Sequence, residues 1–270
     1  MNVANDNSSI FLAGAGRMGG ALLRGWLAAG IPAASLAVRE PQPSPDMAAL
    51  LKAHGIADKP ASVPGVIVLA VKPQIMGQAL SEIAPFAGPQ TVVLSIAAGR
   101  TVASIARAFP PQTAIVRAMP NLPAEIGRGI TAAFANPHVT EAQRELCGKL
   151  LGAAGEVAWI GDEGQLDAVT ALSGSGPGYV FYLVECLAAA GRDAGLPEDL
   201  AMKLARATLA GSGELLHRSP LPAAKLRENV TSPAGTTAAG LAVLMREPGL
   251  SSLLREAVAA AANRSRELSE

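Results

Sequence analysis

Short, nearly continuous apolar runs alternate with segments of helical periodicity through the first half of the chain. The runs cover residues 9–14, 35–40, 65–71, 91–96 and 113–119. Runs of this kind are typical of strands buried on both faces of a sheet, and their alternation with helices predicts parallel strands joined by right-handed crossovers. Two of the predicted intervening helices cover residues 20–29 and 47–54, with Gly55 ending the second.

The alternation stops after about Asp162, and helical periodicity takes over. Residues 165–195 show it with an interruption by glycine, serine and proline, and a further helix begins at Pro197, a residue suited to a helix start. Two more helices are expected within residues 228–245 and 248–268. The pattern predicts an α/β fold class in which an N-terminal Rossmann-type domain with a parallel sheet, residues 1–162, precedes an all-helical C-terminal domain, residues 163–270.

Composition narrows the function classes. Lysine plus arginine equals aspartate plus glutamate at 22 each, with no long basic run, which argues against a nucleic-acid partner. Residues 1–9 are polar and are interpreted as a loose tail instead of a signal peptide. Pro85, Gly88 and Pro89 break the long uncharged stretch at 83–99, so no membrane span is expected.

Cysteines and histidines point to a cytoplasmic protein without a bound metal. Cys147 and Cys186 have no paired spacing and lie in apolar helical contexts, which predicts reduced thiols in the cytoplasm. The three histidines are scattered along the chain, with no two placed to share a metal ion.

A glycine motif separates the first predicted strand from the first helix. Gly14, Gly16 and Gly19 spell G-x-G-x-x-G, in which the first glycine permits a tight turn, the second admits a pyrophosphate and the third allows close helix packing. The helix start then offers free N–H groups to the phosphates. A glycine-rich turn without nucleotide is the alternative. The predicted cofactor contacts of the loop are Gly14, Gly16, Arg17, Met18 and Gly19.

The end of the second predicted strand bears on the choice of cofactor. An acidic residue there commonly binds the ribose hydroxyls of NAD, whereas a nearby arginine accommodates the 2′-phosphate of NADP. Here Arg39 precedes Glu40. Arg39 therefore favours NADPH, Glu40 keeps NADH possible, and a solvated Arg–Glu pair is the alternative.

Three later strand ends share small residues. In a doubly wound sheet, ligands bind beyond the carboxyl ends of the strands. Lys72 is suited to a phosphate or ribose, and Asn121 to the carboxamide of a nicotinamide. The expected cofactor bed comprises Ala70, Val71, Lys72, Pro73, Ala98, Gly99, Met119, Pro120 and Asn121.

The stretch "ENVTSPAGTTAAGLAVLM", residues 228–245, combines hydroxyl and small residues with the start of an apolar helix. Thr231 or Ser232 is expected to cap this helix, and Pro233 to occupy its first turn. The amides from Ala234 to Thr237 are then free to hold an anion at the positive helix end. A plain capped helix is the alternative.

These motifs together resemble the pyrroline-5-carboxylate reductase family, over nearly the whole chain. The most specific stretches are "AVKP", "MPN", "DAVTALSGSGPGY" and "NVTSPAGTTAAGL". Three positions depart from the family's pattern, Leu122, Gly178 and Met245, and none of them touches the expected chemistry.

The resemblance implies reduction of 1-pyrroline-5-carboxylate to L-proline by NAD(P)H, the last step of proline biosynthesis. It places the substrate carboxylate at the amides after Pro233, and it gives Thr237 the catalytic role of hydrogen-bonding the ring nitrogen and relaying its proton. It also implies a cofactor contact from Asn229 and a homodimer or larger homo-oligomer built through the C-terminal helices. The implied substrate-binding residues are Ser175, Gly176, Pro177, Ser232, Gly235, Thr236 and Thr237.

Two rival interpretations share the predicted architecture. A β-hydroxyacid dehydrogenase would use a lysine on the first helix after the Rossmann domain, yet no lysine occurs between Lys149 and Lys203. A non-catalytic NADP-binding regulator would need no anion-binding segment like "TSPAGTT".

Overall fold

The computed structural model describes residues 9–268, which pack into two compact units. Residues 9–174 together with 261–268 form the first unit, and residues 175–260 form the second. The predicted polar tail lies outside the described residues except for Ser9. The functional division at residues 162 and 163 stays a prediction.

The first unit contains a seven-stranded sheet in the order β2-β1-β3-β4-β5-β6-β7. Its first five strands match the five apolar runs, and they pair in parallel, as the alternation with helices predicts. The strands are β1 Ile10–Ala13, β2 Leu36–Arg39, β3 Val66–Leu69, β4 Val92–Ser95, β5 Ala114–Met119, β6 Gly129–Ala135 and β7 Gly155–Trp159.

The pairing of β5 with β6 is antiparallel, and neither β6 nor β7 was anticipated from the apolar runs. Only residues 120–128 join β5 to β6, and a parallel crossover needs a dozen or more residues. Strand β7 alternates half-buried and exposed positions, so it lacks the continuous apolar signature of the central strands.

Among the described residues of the first unit, helices α1 to α6 alternate with the strands or follow them. Trp26 is fully buried, and its indole N–H donates to the carbonyl of Leu150 at 2.9 Å, which ties the first helix to the fifth. Gly55 ends the second helix with a φ of +63°, as expected for a left-handed C-cap. The helices are α1 Arg17–Ala28, α2 Pro45–His54, α3 Met76–Ile83, α4 Val102–Ala106, α5 Glu141–Gly152 and α6 Gln165–Val169.

A π-helical turn, Thr170–Gly174, follows α6 at the predicted glycine-rich interruption. The second unit then contains α7 Gly176–Asp193, α8 Glu198–Arg218, α9 Ala223–Asn229, α10 Thr236–Leu244 and the first part of α11 Leu250–Leu268. Helices α7 and α8 pack closely through small residues, since a Cβ atom on Gly191 would lie 3.1 Å from that of Ala201.

The end of α11 belongs to the first unit. The hydroxyl of Ser265 donates to Oδ1 of Asp167 at 2.6 Å, and a Cβ atom on Gly99 would lie 2.9 Å from the carbonyl oxygen of Leu268. The last eight described residues therefore complete the packing around α6 and the loop after β4.

The two cysteines lie in different environments. Cys147 on α5 is buried, and desolvation raises the pKa of its thiol to about 12, whereas Cys186 on α7 is exposed. Both are free thiols. Among residues 9–268, no helix combines the length and the apolar character that crossing a membrane requires.

Candidate functional site

The glycine loop joins β1 to α1 in a geometry that excludes side chains at two of its three glycines. Gly14 has a φ of +92°, and a Cβ atom there would lie 2.7 Å from the carbonyl oxygen of Ala70. On Gly19, a Cβ atom would lie 2.1 Å from the carbonyl oxygen of Gly14. The loop, the helix start and the end of β3 thus pack backbone against backbone.

Gly16 differs from Gly14 and Gly19 because its side-chain position faces open space. It is the N-cap of α1, its side-chain position has no heavy atom within 4 Å, and no side chain caps the helix there. The first amides of α1 therefore adjoin an open space that a methyl group would partly fill. This arrangement fits a dinucleotide pyrophosphate, which needs backbone N–H groups at a helix start and close approach to the loop.

The next two loop residues have different environments. Arg17 is exposed at the first position of α1, and its Nε donates to Oε1 of Glu125 at 2.9 Å. Met18 is partly buried and packs against the core beneath the sheet. Arg17 thus places a cation at the helix start, held by a carboxylate from the turn after β5.

A cavity of about 330 Å³ opens beside the ends of β1 and β2. Its walls include the apolar side chains of Ala13, Val71, Ile75, Ala79 and Ile83, suited to a flat adenine ring. Its polar lining consists of Arg39, Glu40, Gln42, Gln78 and Glu82.

Glu40 is engaged by the backbone at both carboxylate oxygens. Oε2 accepts the N–H of Ala15 in the glycine loop at 2.8 Å, and Oε1 accepts the N–H of Gln42 at 3.2 Å. Sequence reasoning considered this residue only as a ribose ligand or a partner of Arg39. In the structure it also fixes the loop to the end of β2.

Arg39 points to two other carboxylates. Its Nη2 lies 3.5 Å from Oε2 of Glu82, and its Nη1 lies 3.7 Å from Oδ2 of Asp58. Gln78 donates to the second oxygen of Glu82 at 3.1 Å. The solvated Arg39–Glu40 pair that the sequence left open is therefore replaced by pairs with residues 19 and 43 positions away in the chain.

The three later strand ends lie along the same edge of the sheet, as expected. Lys72 is exposed just after β3, and in the described part of the chain no carboxylate lies within ion-pair distance of it. Asn121 follows β5, and its Oδ1 accepts the N–H of Ile130 at 2.9 Å, so that oxygen already holds the start of β6. Ala70, Pro73, Ala98, Gly99, Met119 and Pro120 flank these positions.

The segment before α10 differs from the expected capped helix start. Helix α10 begins at Thr236 with Gly235 as its N-cap, so Pro233 lies before the helix and outside its first turn. The hydroxyl of Thr231 donates back to the carbonyl of Arg227, at the end of α9, and Ser232 makes no capping bond to α10. The expected roles of these three residues as cap and first turn were wrong.

A tight turn explains the shift. The N–H of Gly235 donates to the carbonyl of Ser232 at 3.1 Å, with Pro233 second in the turn and Ala234 third at a φ of +57°. This third position requires positive φ in a type II turn, and proline commonly precedes it. The amide of Gly235 is thereby used inside the turn.

The amides of Thr236 and Thr237 remain at the helix start. The first bond within α10 runs from the N–H of Ala239 to the carbonyl of Gly235, so three amides precede it, as at any helix N-terminus. A Cβ atom on Gly235 would lie 2.3 Å from Oγ of Ser232 and 3.1 Å from its carbonyl oxygen, so a side chain there would displace the serine hydroxyl where the turn enters the helix. The anion-binding hypothesis is thus restricted to the amides from Thr236 onward.

The remaining site residues of the second unit lie at helix ends. Ser175 is the N-cap of α7, Gly176 and Pro177 are its first two residues, and Gly176 has open space at its side-chain position. Asn229 is the last residue of α9.

Sequence reasoning missed Glu82, Asp58 and Glu125, the carboxylates that bind Arg39 and Arg17. Each lies on a different segment from its arginine and belongs to no motif. Only the folded sheet brings these charges together, so no local pattern could have identified them.

Models of known protein families match both the N-terminal and the C-terminal part of the chain. Residues 163–268 match the model described as "Pyrroline-5-carboxylate reductase dimerisation", and residues 9–99 match that described as "NADP oxidoreductase coenzyme F420-dependent". The chain is similar to the pyrroline-5-carboxylate reductase of Pseudomonas aeruginosa, with 38% identity over 95% of each chain. It is 44% identical to that of Synechocystis over 77% of this chain and 76% of the relative.

Solved structures agree with these sequence matches. A pyrroline-5-carboxylate reductase from Coxiella burnetii superimposes with a TM-score of 0.91 at 32% identity, covering 98% of this chain and all of the other. The Plasmodium falciparum enzyme, solved with NADP bound, gives a TM-score of 0.80 at 29% identity, covering 98% and 99%.

Proposed function

The chain belongs to the pyrroline-5-carboxylate reductase family, and we propose how its residues reduce 1-pyrroline-5-carboxylate to L-proline. It is an NAD(P)H-dependent oxidoreductase acting on a C=N bond. The single observation that carries the cofactor half of this proposal is the open face of Gly16 at an uncapped helix start. The location of the reaction in the cytoplasm is part of the proposal and rests on the unpaired spacing of the two cysteines.

The first unit supplies the cofactor contacts. The amides after Gly16 bind the pyrophosphate, the apolar cavity beside β1 takes the adenine, and Arg39 binds the 2′-phosphate of NADPH. Lys72 pairs with a phosphate or ribose, and the side-chain NH₂ of Asn121 binds the carboxamide while its oxygen accepts the N–H of Ile130. When bound, the cofactor supplies the hydride that reduces the imine carbon.

The second unit supplies the substrate contacts. The amides of Thr236 and Thr237 bind the carboxylate at the positive end of α10, and the glycine at 235 keeps a side chain away from them. The hydroxyl of Thr237 hydrogen-bonds the ring nitrogen and relays its proton. Ser175, Gly176, Pro177 and Ser232 complete the proposed substrate contacts, and Asn229 adds a contact to the cofactor.

A cyclic imine needs little from a general acid because its nitrogen is readily protonated. The protein then has to orient the carboxylate and the ring, which determines the approach of the reducing group. Backbone amides and one hydroxyl are sufficient for that task.

The protein is proposed to act as a homodimer or a larger homo-oligomer. The matched dimerisation model spans residues 163–268, and neither α10 nor α11 has a buried residue within the chain. Leu244, Met245 and Leu253 are each at least half exposed. Large apolar side chains with this degree of exposure are typical of an interaction surface, whereas the side chains of an internal core would be buried. A monomeric mass by light scattering at micromolar concentration would contradict this part.

One assay tests the reaction directly. Purified protein with NADPH or NADH and 1-pyrroline-5-carboxylate should show loss of reduced-cofactor absorbance, with proline as the product identified by mass spectrometry. Oxidation of both cofactors no faster than in the enzyme-free mixture would reject the enzymatic function. Cofactor binding without turnover would instead favour a regulator.

A further inference from the structure

The carboxylate of Glu82 forms an ion pair with Arg39, the residue that the proposed function assigns as the ligand of the 2′-phosphate of NADPH. Nη2 of Arg39 lies 3.5 Å from Oε2 of Glu82, and both side chains line the cavity beside β1. Glu82 is itself held in place, because Gln78, one turn earlier on α3, donates to its other oxygen at 3.1 Å. A contact within α3 therefore orients the Glu82 carboxylate that pairs with Arg39.

Charge in this cavity is unfavourable for a 2′-phosphate. Arg39 shares the lining of this cavity with the carboxylates of Glu40 and Glu82, and Asp58 lies 3.7 Å from Nη1 of Arg39, outside that lining. Two carboxylates against one cation leave the cavity lining with a net negative charge before a ligand arrives. A phosphate would bring further negative charge, whereas the ribose hydroxyls of NADH would bring none.

We propose that Glu82 determines the cofactor selectivity of this enzyme by competing with the 2′-phosphate for Arg39. This inference rests on the proposed function, specifically on Arg39 as the phosphate ligand. With Glu82 in place, NADPH has to displace an existing ion pair, and its advantage over NADH is reduced. The arrangement therefore keeps both cofactors usable, and the selectivity ratio depends on a residue outside the glycine loop and the second strand.

The exposure of the pair limits the size of the effect. The side chains of Arg39 and Glu82 are 39% and 41% exposed, and Asp58 is 73% exposed at 3.7 Å. Ion pairs of this kind are worth up to about 1 kcal/mol, which corresponds to roughly fivefold in an equilibrium constant. They weaken at high salt because solvent ions screen them.

The experiment is a fluorescence titration of NADPH and NADH with the full-length protein, without substrate. Glu82→Gln keeps the hydrogen-bonding shape and removes the charge, and it should tighten NADPH by roughly fivefold at low salt, with a much smaller change for NADH. Asp58→Asn should give a smaller gain, because that carboxylate is farther away and more exposed. The gain should shrink at 0.5 M salt, a concentration at which the screening length is only about 4 Å.

Two further variants determine whether Glu82 acts through Arg39. In the Arg39→Ala background, Glu82→Gln should lose most of its effect on NADPH. Glu145→Gln makes the same chemical change in an exposed ion pair with Lys149 on α5, away from the cavity, and should leave the NADPH to NADH ratio unchanged.

Several outcomes would overturn the inference. An unchanged ratio in Glu82→Gln, an equal change for both cofactors, or a full effect without Arg39 would each show that Glu82 does not act by this competition. Because binding is measured without substrate, a failure of imine reduction would leave these results intact and would count against the proposed reaction alone.

Discussion

The carboxylate of Glu163 lies 2.8 Å from Nη1 of Arg117, whose side chain is only 8% exposed. The same oxygen accepts the N–H of Val102 at 2.8 Å, at the start of α4. One carboxylate therefore joins β5, the short helix after β4 and the segment that leads into α6.

Removing Glu163 should destabilise the protein through the charge it leaves behind. Glu163→Ala strands a nearly buried guanidinium and an unpaired helix amide, so we expect a loss of about 3 kcal/mol in the free energy of unfolding. Urea denaturation at fixed protein concentration measures it. Arg117→Met combined with Glu163→Ala should cost less than Glu163→Ala alone; a larger cost for the double variant would contradict this interpretation.

Two glycines of the loop should respond differently to alanine. Gly14→Ala places a methyl group 2.7 Å from a carbonyl oxygen at a φ of +92°, so the folded protein should be strongly destabilised. Gly16→Ala meets no protein atom, and the unfolding midpoint should be nearly unchanged while cofactor affinity falls. Thermal unfolding and nucleotide titration together measure both effects. Equal loss of stability in the two variants would show that Gly16 has a structural role.

Arg39→Ala should weaken NADPH far more than NADH. A hydrogen bond to a charged group contributes about 1.5–3 kcal/mol, which is roughly ten- to a hundredfold in affinity. Competition with Glu82 places the expected loss toward the lower end of that range. The measurement is the dissociation constant of each cofactor, and equal losses would mean that Arg39 only maintains its contacts with Glu82 and Asp58.

The carboxylate of the substrate should be needed for efficient reduction. 1-Pyrroline has the same ring and the same reducible bond, but it has nothing to place on the amides of Thr236 and Thr237. We expect a large fall in kcat/KM, because binding energy away from the reacting carbon positions that carbon. Steady-state kinetics with the two imines tests this. Comparable values would show that the start of α10 binds no carboxylate.

Thr237→Val should separate the hydroxyl from the backbone amide. Valine keeps the shape and the N–H but cannot hydrogen-bond the ring nitrogen, so kcat should fall more than KM rises if the hydroxyl acts chiefly in the transition state. Inhibition by proline-like carboxylates should persist. A rise in KM alone would assign Thr237 to ground-state binding.

The positions of the first five strands were predictable because their burial on both faces leaves a continuous apolar run in the sequence. Strand β7 carries no such run because the exposed Glu156 interrupts it, and in β6 the run is interrupted by Thr131, a polar residue that the structure buries. The reversal of β6 follows from the short link after Met119, a property that is recognisable only once both strands are known.

The start of α10 could be predicted only approximately. Hydroxyl residues before a proline are typical of a capped helix, and sequence reasoning therefore placed the helix start near Thr231 and Pro233. The structure instead closes a turn over Pro233 and Ala234, and it admits the positive φ of an alanine that local propensity disfavours. Similarly, the partners of Arg39 depend on the side-by-side placement of β2 and α3, which no motif encodes.

The return of α11 to the first unit means that this unit is encoded by two separate stretches of the gene. A fragment ending at residue 174 would lack Ser265 and Leu268, and with them the contacts to Asp167 and Gly99. An exchange of the first unit between relatives would have to include residues 261–268 together with residues 9–174. A chimaera joined at a single point would instead combine α6 from one parent with the terminal helix of the other parent. That terminal helix would have been selected to pack against a different α6.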